Sequence, residues 1–547
     1  MKKYKYYFYQ FVCAGLILLA VSCSKFMEVD SKEQVSDPLL WADKGNADLF
    51  LNNVYSSLPN PFNAFDTEEN WTDNALNGVN GQYSQTTYAI SAYDPSNAIT
   101  RWGFYNAIRK TNLFIEKVSA GSLPEDWKKQ RLAEARFLRA YYHMILWASH
   151  GGVPVITKVL NQNEQGDEIF QARNTAEETF KFIRDECEAI ANDLPLKSDA
   201  GRATRGAALT LKAWVELFWA SPLYNTSNEK QRWADAAVTN KRVMDLNVYT
   251  LFPDYSTLFF EQNNNNSEVI FSRQYLGGTS LGGSHEGLHG PAYTDKGTMT
   301  GWGLLNPTQE IVDEYAMANG LPISAPGSGY DPQNPYTNRE KRFYQSIIYD
   351  GAEWLGASVT MKQGIGSKNA TDISNASEVT NTGYYLRKGL NPAYAVAGSN
   401  RLNSANFIIY RYAEVLLSYA EAQNEAVGPD ESVYEAIRLV RERSELPALQ
   451  AGMSQAEMRI AIQRERRVEL AFEEKRWWDL LRLKLAEDKL NGTSHAMVIE
   501  QSGGIWVYKV QPCVTGKRIF HPEKNYLLPI PQSAIDRNDK LEQNPNY

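Results

Sequence analysis

Residues 285–289, with the sequence HEGLH, come closest to a known catalytic pattern in this chain. They match HExxH, in which two histidines hold Zn²⁺ and the glutamate acts on the bound water. Both imidazoles reach one metal ion only when the motif is helical. A glycine pair at 282–283 precedes it, Gly287 lies inside it, and Gly290 and Pro291 follow. Glycine costs about 1 kcal/mol per helical position and proline about 3 kcal/mol. We therefore expect a loop that offers a histidine or glutamate to a ligand, and no zinc protease.

Glycoside hydrolysis is a second reaction to consider, because the chain contains 64 Asp and Glu residues. Such enzymes need one carboxyl group with a raised pKa and a second about 5 or about 6.5–9.5 Å away. Nothing in the sequence marks a pair of this kind. G-x-S-x-G, phosphate-loop and dinucleotide-binding patterns are missing, and the chain has only six histidines for acid–base chemistry near neutral pH. We predict that the protein is not an enzyme and keep a secreted hydrolase as the less favoured alternative.

Cys23 is the residue that indicates where the protein resides. A basic head at 1–5 is followed by an apolar stretch over 11–21 and then by Ser22 and Cys23. This order is typical of an export signal that ends at a lipobox, although Ala20 stands where leucine is more usual. The apolar stretch is shorter than the ~20 residues needed to span a bilayer. We predict a signal peptide over 1–22 and a lipid anchor on Cys23.

The remaining composition limits the possible partners and cofactors. The net charge is −8, and removal of residues 1–22, which carry three lysines and no acids, changes it to −11. An acidic surface argues against a nucleic-acid partner. Cys187 and Cys513 are too few for a disulfide framework, so we expect buried free thiols. We predict no cofactor and no metal. Calcium stays open, because Asp/Asn-rich loops occur without a D-x-D-x-D-G pattern.

Two helix-rich regions flank a loop-rich middle. Apolar residues recur at helical spacing in both regions, and small residues accompany them, which favours closely packed helix pairs. The clearest stripes are Leu132, Ala135, Leu138, Tyr142 and Ile145 in the first region and Tyr412, Val415, Tyr419 and Ala422 in the second. Capping boxes at Ser432…Glu435 and Ser454…Glu457 predict two helix starts. The pattern predicts a mainly α fold of degenerate tetratricopeptide-like helix pairs.

The middle of the chain is punctuated by glycine, proline and asparagine and contains only short β-prone runs, such as 269–271 and 346–349. Loops of such length inside a compact domain are usually functional. We therefore divide the chain into a signal peptide (1–22), an N-terminal helical region (23–250) and a C-terminal region (251–547), which is loop-rich over 251–403 and helical over 404–547.

Loop aromatics beside polar residues are the candidate binding residues. Aromatic residues make up 12% of the chain, and many lie in polar, Asn- and Gly-rich stretches. Rings can stack on the apolar C–H faces of sugars while amides and carboxylates meet the hydroxyls. The alternative for each ring is packing over the core. The candidates are Trp71, Asp73, Asn74, Tyr83, Tyr93, Trp102, Tyr275, Tyr293 and Trp302.

Several longer motifs resemble signatures of the SusD/RagB family. They are RFLRAYY at 136–142, HGGVP at 150–154, GRATRGAA at 201–208, IYRYAEVLL at 409–417, RRVELAFE at 466–473, RWWDL at 476–480, LLPIPQ at 527–532 and QNPNY at 543–547. They occur in the expected order. Within them we expect Trp477 and Trp478 to be packing anchors and the charged run over 466–473 to form ion pairs.

The resemblance implies an outer-membrane lipoprotein that faces the cell exterior. It also implies tetratricopeptide-like helices with an irregular embedded region, and a SusC-like TonB-dependent transporter as partner. The expected function is capture of an oligosaccharide and its delivery to that transporter, with no bond broken. A binder of peptides or other nutrients in the same complex is the alternative. Because binding sites vary between family members, the resemblance assigns no binding residue.

Overall fold

The computed structural model describes residues 37–82, 84–293, 297, 299–375, 379–395 and 402–547. The predicted signal peptide, Cys23 and the candidate Tyr83 lie outside these residues. The helices are α1 (Asp37–Ala42), α2 (Lys44–Tyr55), α3 (Phe104–Ala120), α4 (Glu125–His150), α5 (Gln162–Gln165), α6 (Ala176–Ile190), α7 (Arg205–Ala220), α8 (Lys230–Met244), α9 (His285–His289), α10 (Gln309–Val312), α11 (Lys341–Ser346), α12 (Tyr412–Val427), α13 (Glu431–Arg443), α14 (Gln455–Glu469), α15 (Arg476–Arg482), α16 (Ala486–Lys489) and α17 (Gln532–Ile535).

Successive long helices pack on one another. Helix α3 packs on α4, α4 on α6, α6 on α7, and α7 on α8; α8 then packs on α12, and α12 on both α13 and α14. The contact of α8 with α12 joins the N-terminal helical region to the helices that follow the loop-rich middle. The predicted mainly α fold of tetratricopeptide-like helix pairs with an irregular insertion is confirmed.

Helix α4 shows why the sequence forms these elements. Glu125 and Asp126 occupy its first turn, where negative charge is stabilised by the helix dipole. Its second half is buried, with Phe137 and Trp147 fully inside the larger core. The helix ends at Gly151, whose φ of 76° lies in the left-handed region that favours glycine.

Of the two capping boxes that the sequence predicts, one opens a helix and the other does not. The predicted box at Ser454 and Glu457 opens α14. The predicted box at Ser432 is wrong, because the cap of α13 lies two residues earlier. There the Asp430 carboxylate accepts hydrogen bonds from the backbone N–H groups of Ser432 and Val433. An aspartate is as good an N-cap as a serine, so the first suitable residue opens the helix.

The strands form five antiparallel pairs within the described residues. They are β1 (Ala75–Leu76) with β3 (Asn306–Pro307), β2 (Val269–Arg273) with β8 (Phe407–Arg411), β4 (Ile347–Ile348) with β7 (Tyr385–Leu386), β5 (Glu353–Trp354) with β6 (Ala357–Ser358), and β9 (Gly492–Ser502) with β10 (Ile505–Arg518). The β2–β8 pair closes the base of the loop-rich insertion. The long β9–β10 hairpin lies in the region 404–547, where the sequence analysis predicts helices only.

A buried ion-pair network ties the insertion to the C-terminal helices. The Arg411 guanidinium contacts Glu268 at 2.7 Å, Glu469 at 2.6 Å and Glu473 at 2.6 Å. Lys388 also reaches Glu473, at 2.6 Å. Such charges are stable in a core only when each is paired and hydrogen-bonded. The predicted ion pairing of the charged run 466–473 is therefore confirmed.

Cys187 and Cys513 are buried free thiols, as expected.

Candidate functional site

The predicted candidates around residue 71 lie in the core. Trp71 is only 4% exposed. It stacks on Tyr88 with ring centroids 4.0 Å apart and meets Trp477 edge-on at 5.5 Å. Tyr93 is buried too and stacks on Tyr88, at 4.8 Å. These rings pack on one another, and Trp477 is a packing anchor as expected.

Asp73 and Asn74 have contacts that hold this loop to the C-terminal helices. Asp73 pairs with Arg476 at 2.8 Å and Arg467 at 2.9 Å. Burial raises the pKa of Asp73, but these guanidinium groups outweigh it and hold the pKa well below its usual range. The Asn74 side chain donates to Glu69 at 2.7 Å and accepts from Arg467 at 2.9 Å. Both residues are buried, so their polar groups serve the fold.

Trp102 and Tyr275 lie elsewhere. Trp102 is half-buried and packs edge-on against Tyr105 and His150, at 5.1 and 5.5 Å. Tyr275 is buried, and its hydroxyl donates to the Asn60 side chain. The structure therefore does not bring the eight candidates that it describes into one site.

Two candidates, Tyr293 and Trp302, remain accessible on loops of the insertion. Trp302 is 40% exposed, and its ring centroid lies 6.0 Å from that of Phe65, which is 47% exposed. Tyr293 is half-buried, and the Lys368 ammonium lies 5.1 Å from its ring centroid. We call Phe65, Tyr293, Trp302 and Lys368 the aromatic face.

Close contacts join the loops that carry this face. The Asn77 side chain donates to the carbonyl of Phe65 at 3.0 Å, and the Asn369 side chain donates to the carbonyl of Tyr293 at 2.8 Å. Gly78 lies so close to the chain at 303 that an added Cβ would be 1.9 Å from the Gly303 carbonyl oxygen. Only glycine fits there. The contacts of Asn77 and Gly78 therefore hold the loop of Phe65 beside that of Trp302, and the Asn369 contact holds Tyr293 beside the loop of Lys368.

The aromatic face has the chemistry of a weak, broad recognition surface. Exposed large apolar side chains that sit together mark interaction sites more often than scattered ones do. Polar groups lie on the neighbouring loops, since the exposed side chains of Asn80 and Asn375 hydrogen-bond to each other. Neither Phe65 nor Lys368 is among the binding residues predicted from the sequence. Phe65 follows the same rule, because it is an aromatic residue in a polar, Pro-containing loop.

The HEGLH segment differs from our expectation, because His285–His289 forms the helical turn α9. Neighbouring backbone supplies partners for its carbonyl groups: the N–H groups of Trp302 and Leu304 donate to Gly287 and Leu288, at 2.9 and 3.0 Å. Helix ends need such partners. These hydrogen bonds offset the low helix propensity of glycine. The sequence-based prediction of a loop rests on local propensities alone.

The helical turn nevertheless lacks a complete set of metal ligands among the described residues. Its imidazole centroids are 5.2 Å apart, and burial lowers the pKa of His285 and lowers that of His289 to about 4. The Glu286 carboxylate accepts from the Asn391 N–H at 3.1 Å and the Asn403 side chain at 2.6 Å. Across the residues that the structure describes, no group of three or more His, Cys, Asp or Glu side chains is placed to hold a metal ion.

The fold and the loop surface define a class: a helical-repeat protein that presents aromatic residues on inserted loops. The family model described as "SusD family" matches residues 267–547, and the one described as "Starch-binding associating with outer membrane" matches residues 24–217. The chain belongs to the SusD family. Among the described helices, none is both long and apolar enough to cross a membrane.

Individual relatives agree with this assignment. SusD-like protein P2 of Formosa agariphila is 30% identical over 460 residues, which cover 78% of this chain and 77% of that protein. A SusD-like protein of Bacteroides ovatus is 27% identical over 413 residues, which cover 72% of this chain and 67% of that protein.

Solved structures show the same fold along nearly the whole chain. A SusD-like protein of Bacteroides fragilis superposes with a TM-score of 0.80 at 27% identity, covering 94% of this chain and 99% of its own. A SusD-like carbohydrate-binding protein of the same species has a TM-score of 0.76 at 26% identity, covering 92% and 100%.

Proposed function

We propose that this chain is a lipoprotein on the outer face of the outer membrane. It captures a nutrient glycan on the aromatic face and delivers it to a SusC-like TonB-dependent transporter. Family membership supports the class of function, since one matching family is described as starch-binding and associated with the outer membrane, and one similar structure is described as carbohydrate-binding.

The exposed pair of Trp302 and Phe65 carries the proposal for this particular chain. Two large rings 6.0 Å apart remain accessible, although three of the aromatic candidates, Trp71, Tyr93 and Tyr275, are buried. A sugar ring that stacks on such a side chain contributes about 1 kcal/mol, by analogy with aromatic pairs. A glycan that contacts both rings and Tyr293 therefore gains affinity by adding weak contacts.

The first experiment is affinity electrophoresis of the chain from Ser24 to Tyr547 through gels that contain plant, host or microbial polysaccharides. Retardation by one class of polysaccharide supports glycan capture and names the substrate class. Saturation by oligopeptides, with no retardation by any glycan, would assign the protein to the alternative of peptide binding. Release of shortened sugars by the purified protein would instead indicate a hydrolase.

Variants then test the aromatic face. Trp302→Ala and Phe65→Ala should each remove one stacking contact of about 1 kcal/mol. Each should therefore weaken binding to the retained glycan about fivefold, because a tenfold change in affinity corresponds to about 1.4 kcal/mol. Their thermal melts should stay close to that of the wild type because exposed side chains contribute little to stability. Leu49→Ala, on helix α2 and also exposed, is the matched control and should bind normally. Normal retardation of a Phe65→Ala/Trp302→Ala double variant would refute this location.

A further inference from the structure

A cavity of ≈440 Å³ lies between the loop 57–71, helix α4, strand β8 and the start of α15. None of the four residues of the aromatic face lines it. Its volume falls in the range of small-molecule sites. It reaches the surface at the loop, where the lining residue Asn60 is exposed.

Aromatic rings form much of the wall. Phe104, Trp214, Phe407 and Trp478 line the cavity, and each packs against the larger core while remaining only half-buried. The indoles of Trp214 and Trp478 meet nearly perpendicularly, with centroids 6.2 Å apart and an interplanar angle of 79°. Because these half-buried rings line the cavity, a ligand in it can contact them. The expectation that Trp478 only packs is therefore incomplete.

The basic side chains that line the cavity are already paired. Arg101 forms an ion pair with Glu68, and Lys475 pairs with Glu414 at 2.8 Å. Glu473, also in the lining, belongs to the buried network and contacts Arg411 at 2.6 Å. These groups leave no surplus positive charge in the wall.

Two lining carboxyl groups lack such a partner. Asp66 accepts hydrogen bonds from the Ser84 N–H and, at 3.4 Å, from Asn70. Glu474 accepts from the Glu68 N–H at 2.7 Å. In the part of the chain that the structure describes, neither carboxyl group has a basic side chain within 4.0 Å. The Arg101 guanidinium in the same wall acts on Glu474 from farther away and lowers its pKa, but by less than burial raises it. Burial raises the pKa of Asp66, and burial together with the Glu69 charge raises the pKa of Glu474 to about 8.

We propose that this cavity binds a small organic cation, namely an ammonium group on an apolar body. Aromatic walls attract cations through the negative faces of their rings, most strongly where water is excluded. A bound cation would also place a positive charge beside Asp66 and Glu474, which form no ion pair among the described residues, and would favour their ionised forms. An anionic ligand would meet two carboxyl groups, and a neutral one would bring no charge that favours their ionisation. This site is independent of the proposed glycan function.

The test is isothermal titration of the chain from Ser24 to Tyr547 at pH 7 with three probes of similar shape. Phenethylamine is cationic, phenethyl alcohol is neutral and 3-phenylpropionate is anionic. We expect phenethylamine to bind at least tenfold more tightly than the alcohol, and the carboxylate not to bind. Equal affinities, a preference for the neutral or anionic probe, or no binding of phenethylamine would overturn the proposal.

Two variants locate the amine. Glu474→Gln keeps the shape and removes the carboxyl group that would ionise beside the amine, and Ala64→Phe fills the cavity from its loop. Each should weaken phenethylamine binding at least tenfold. Glu474→Gln should leave glycan retardation unchanged, and Leu49→Ala should bind both ligands normally. Wild-type affinity in Glu474→Gln and Ala64→Phe would refute the site.

Proton release gives a measurement that does not depend on any variant folding. At pH 7 the Glu474 carboxyl is largely protonated in the free protein, since its pKa is raised to about 8. A cation beside it favours the ionised form, so binding should release up to one proton. Titration in two buffers with different ionisation enthalpies measures this number. Binding of phenethylamine with no proton release would contradict the role of Glu474.

Discussion

Buried carboxyl groups in this protein behave in two ways, according to whether a basic side chain pairs with them. Burial raises the pKa of Glu469, but Arg443 and Arg411 outweigh it and hold the pKa well below its usual range. Glu286 and Glu474 lack a basic partner within 4.0 Å among the described residues. Burial raises the pKa of Glu286 to about 7 and, with the Glu69 charge, raises that of Glu474 to about 8. Glu286 and Glu474 therefore change their charge near neutral pH.

Glu286 should make the protein less stable as the pH rises. Its pKa is about 7 in the folded protein and near 4.5 when unfolded, so the folded state holds the proton more tightly. Stability is therefore lost between pH 4.5 and pH 7, by up to about 3 kcal/mol, and changes little above that. Glu286→Gln removes this dependence. Urea unfolding at pH 5 and pH 8 should show a smaller loss in the variant than in the wild type.

The control for this prediction is Glu353→Gln, which changes an exposed carboxyl group. Its loss of stability between the two pH values should match that of the wild type. The comparison uses the change in stability with pH because the amide that Glu286→Gln introduces would also alter the hydrogen bonds now accepted from Asn391 and Asn403. Equal pH dependence in Glu286→Gln and wild type would mean that Glu286 is ionised in the folded protein at neutral pH.

At the scale of elements, the sequence predicts what local signals determine and misses what distant contacts determine. The stripes through Leu138 and Tyr412 predict helices that the structure contains as α4 and α12. The sequence does not predict the helical turn α9, because backbone N–H groups at 302 and 304 stabilise it from outside the motif. Propensity is a weak guide when tertiary hydrogen bonds act on so short a segment.

The β9–β10 hairpin is a different case, because its turn can be found in the sequence. Gly503 and Gly504 separate the two strands, and both have positive φ, 59° and 87°. A glycine pair between two β-prone runs is a signal for a two-residue hairpin turn. The helical motifs that precede the glycine pair favour helices over the whole region 404–547. The glycine pair is the local signal that indicates a hairpin instead.

The start of helix α13 gives a test at this scale. Asp430→Ala removes the carboxylate that accepts from the N–H groups of Ser432 and Val433. Loss of an N-cap costs about 1 kcal/mol. Ser432→Ala should cost less, because Ser432 lies inside the first turn. Thermal melts of the two variants show which substitution costs more stability. A larger loss for Ser432→Ala would restore the capping box that the sequence predicts.

For the whole molecule, composition indicates the kind of surface but not its place. Trp71 and Trp302 both follow the rule of an aromatic residue in a polar loop, yet one is 4% and the other 40% exposed. The difference arises from long-range packing: Tyr88 and Trp477 cover Trp71, whereas Trp302 meets only Phe65 among the ring contacts of the described residues. Burial of a loop ring depends on where distant segments fold, which one sequence does not reveal.

The proposed anchor and the aromatic face should be separable. Cys23 lies outside the described residues, and the loops that carry the face begin well after it, at Phe65. Cys23→Ala should therefore abolish lipid attachment, since only the thiol accepts the lipid, and leave glycan retardation of the purified protein unchanged. Labelling of cells with radioactive palmitate measures the first effect and affinity electrophoresis the second. Palmitate labelling that persists in the variant would show that Cys23 is not the lipidated residue. Loss of glycan binding by the purified variant would show that the anchor segment contributes to the face.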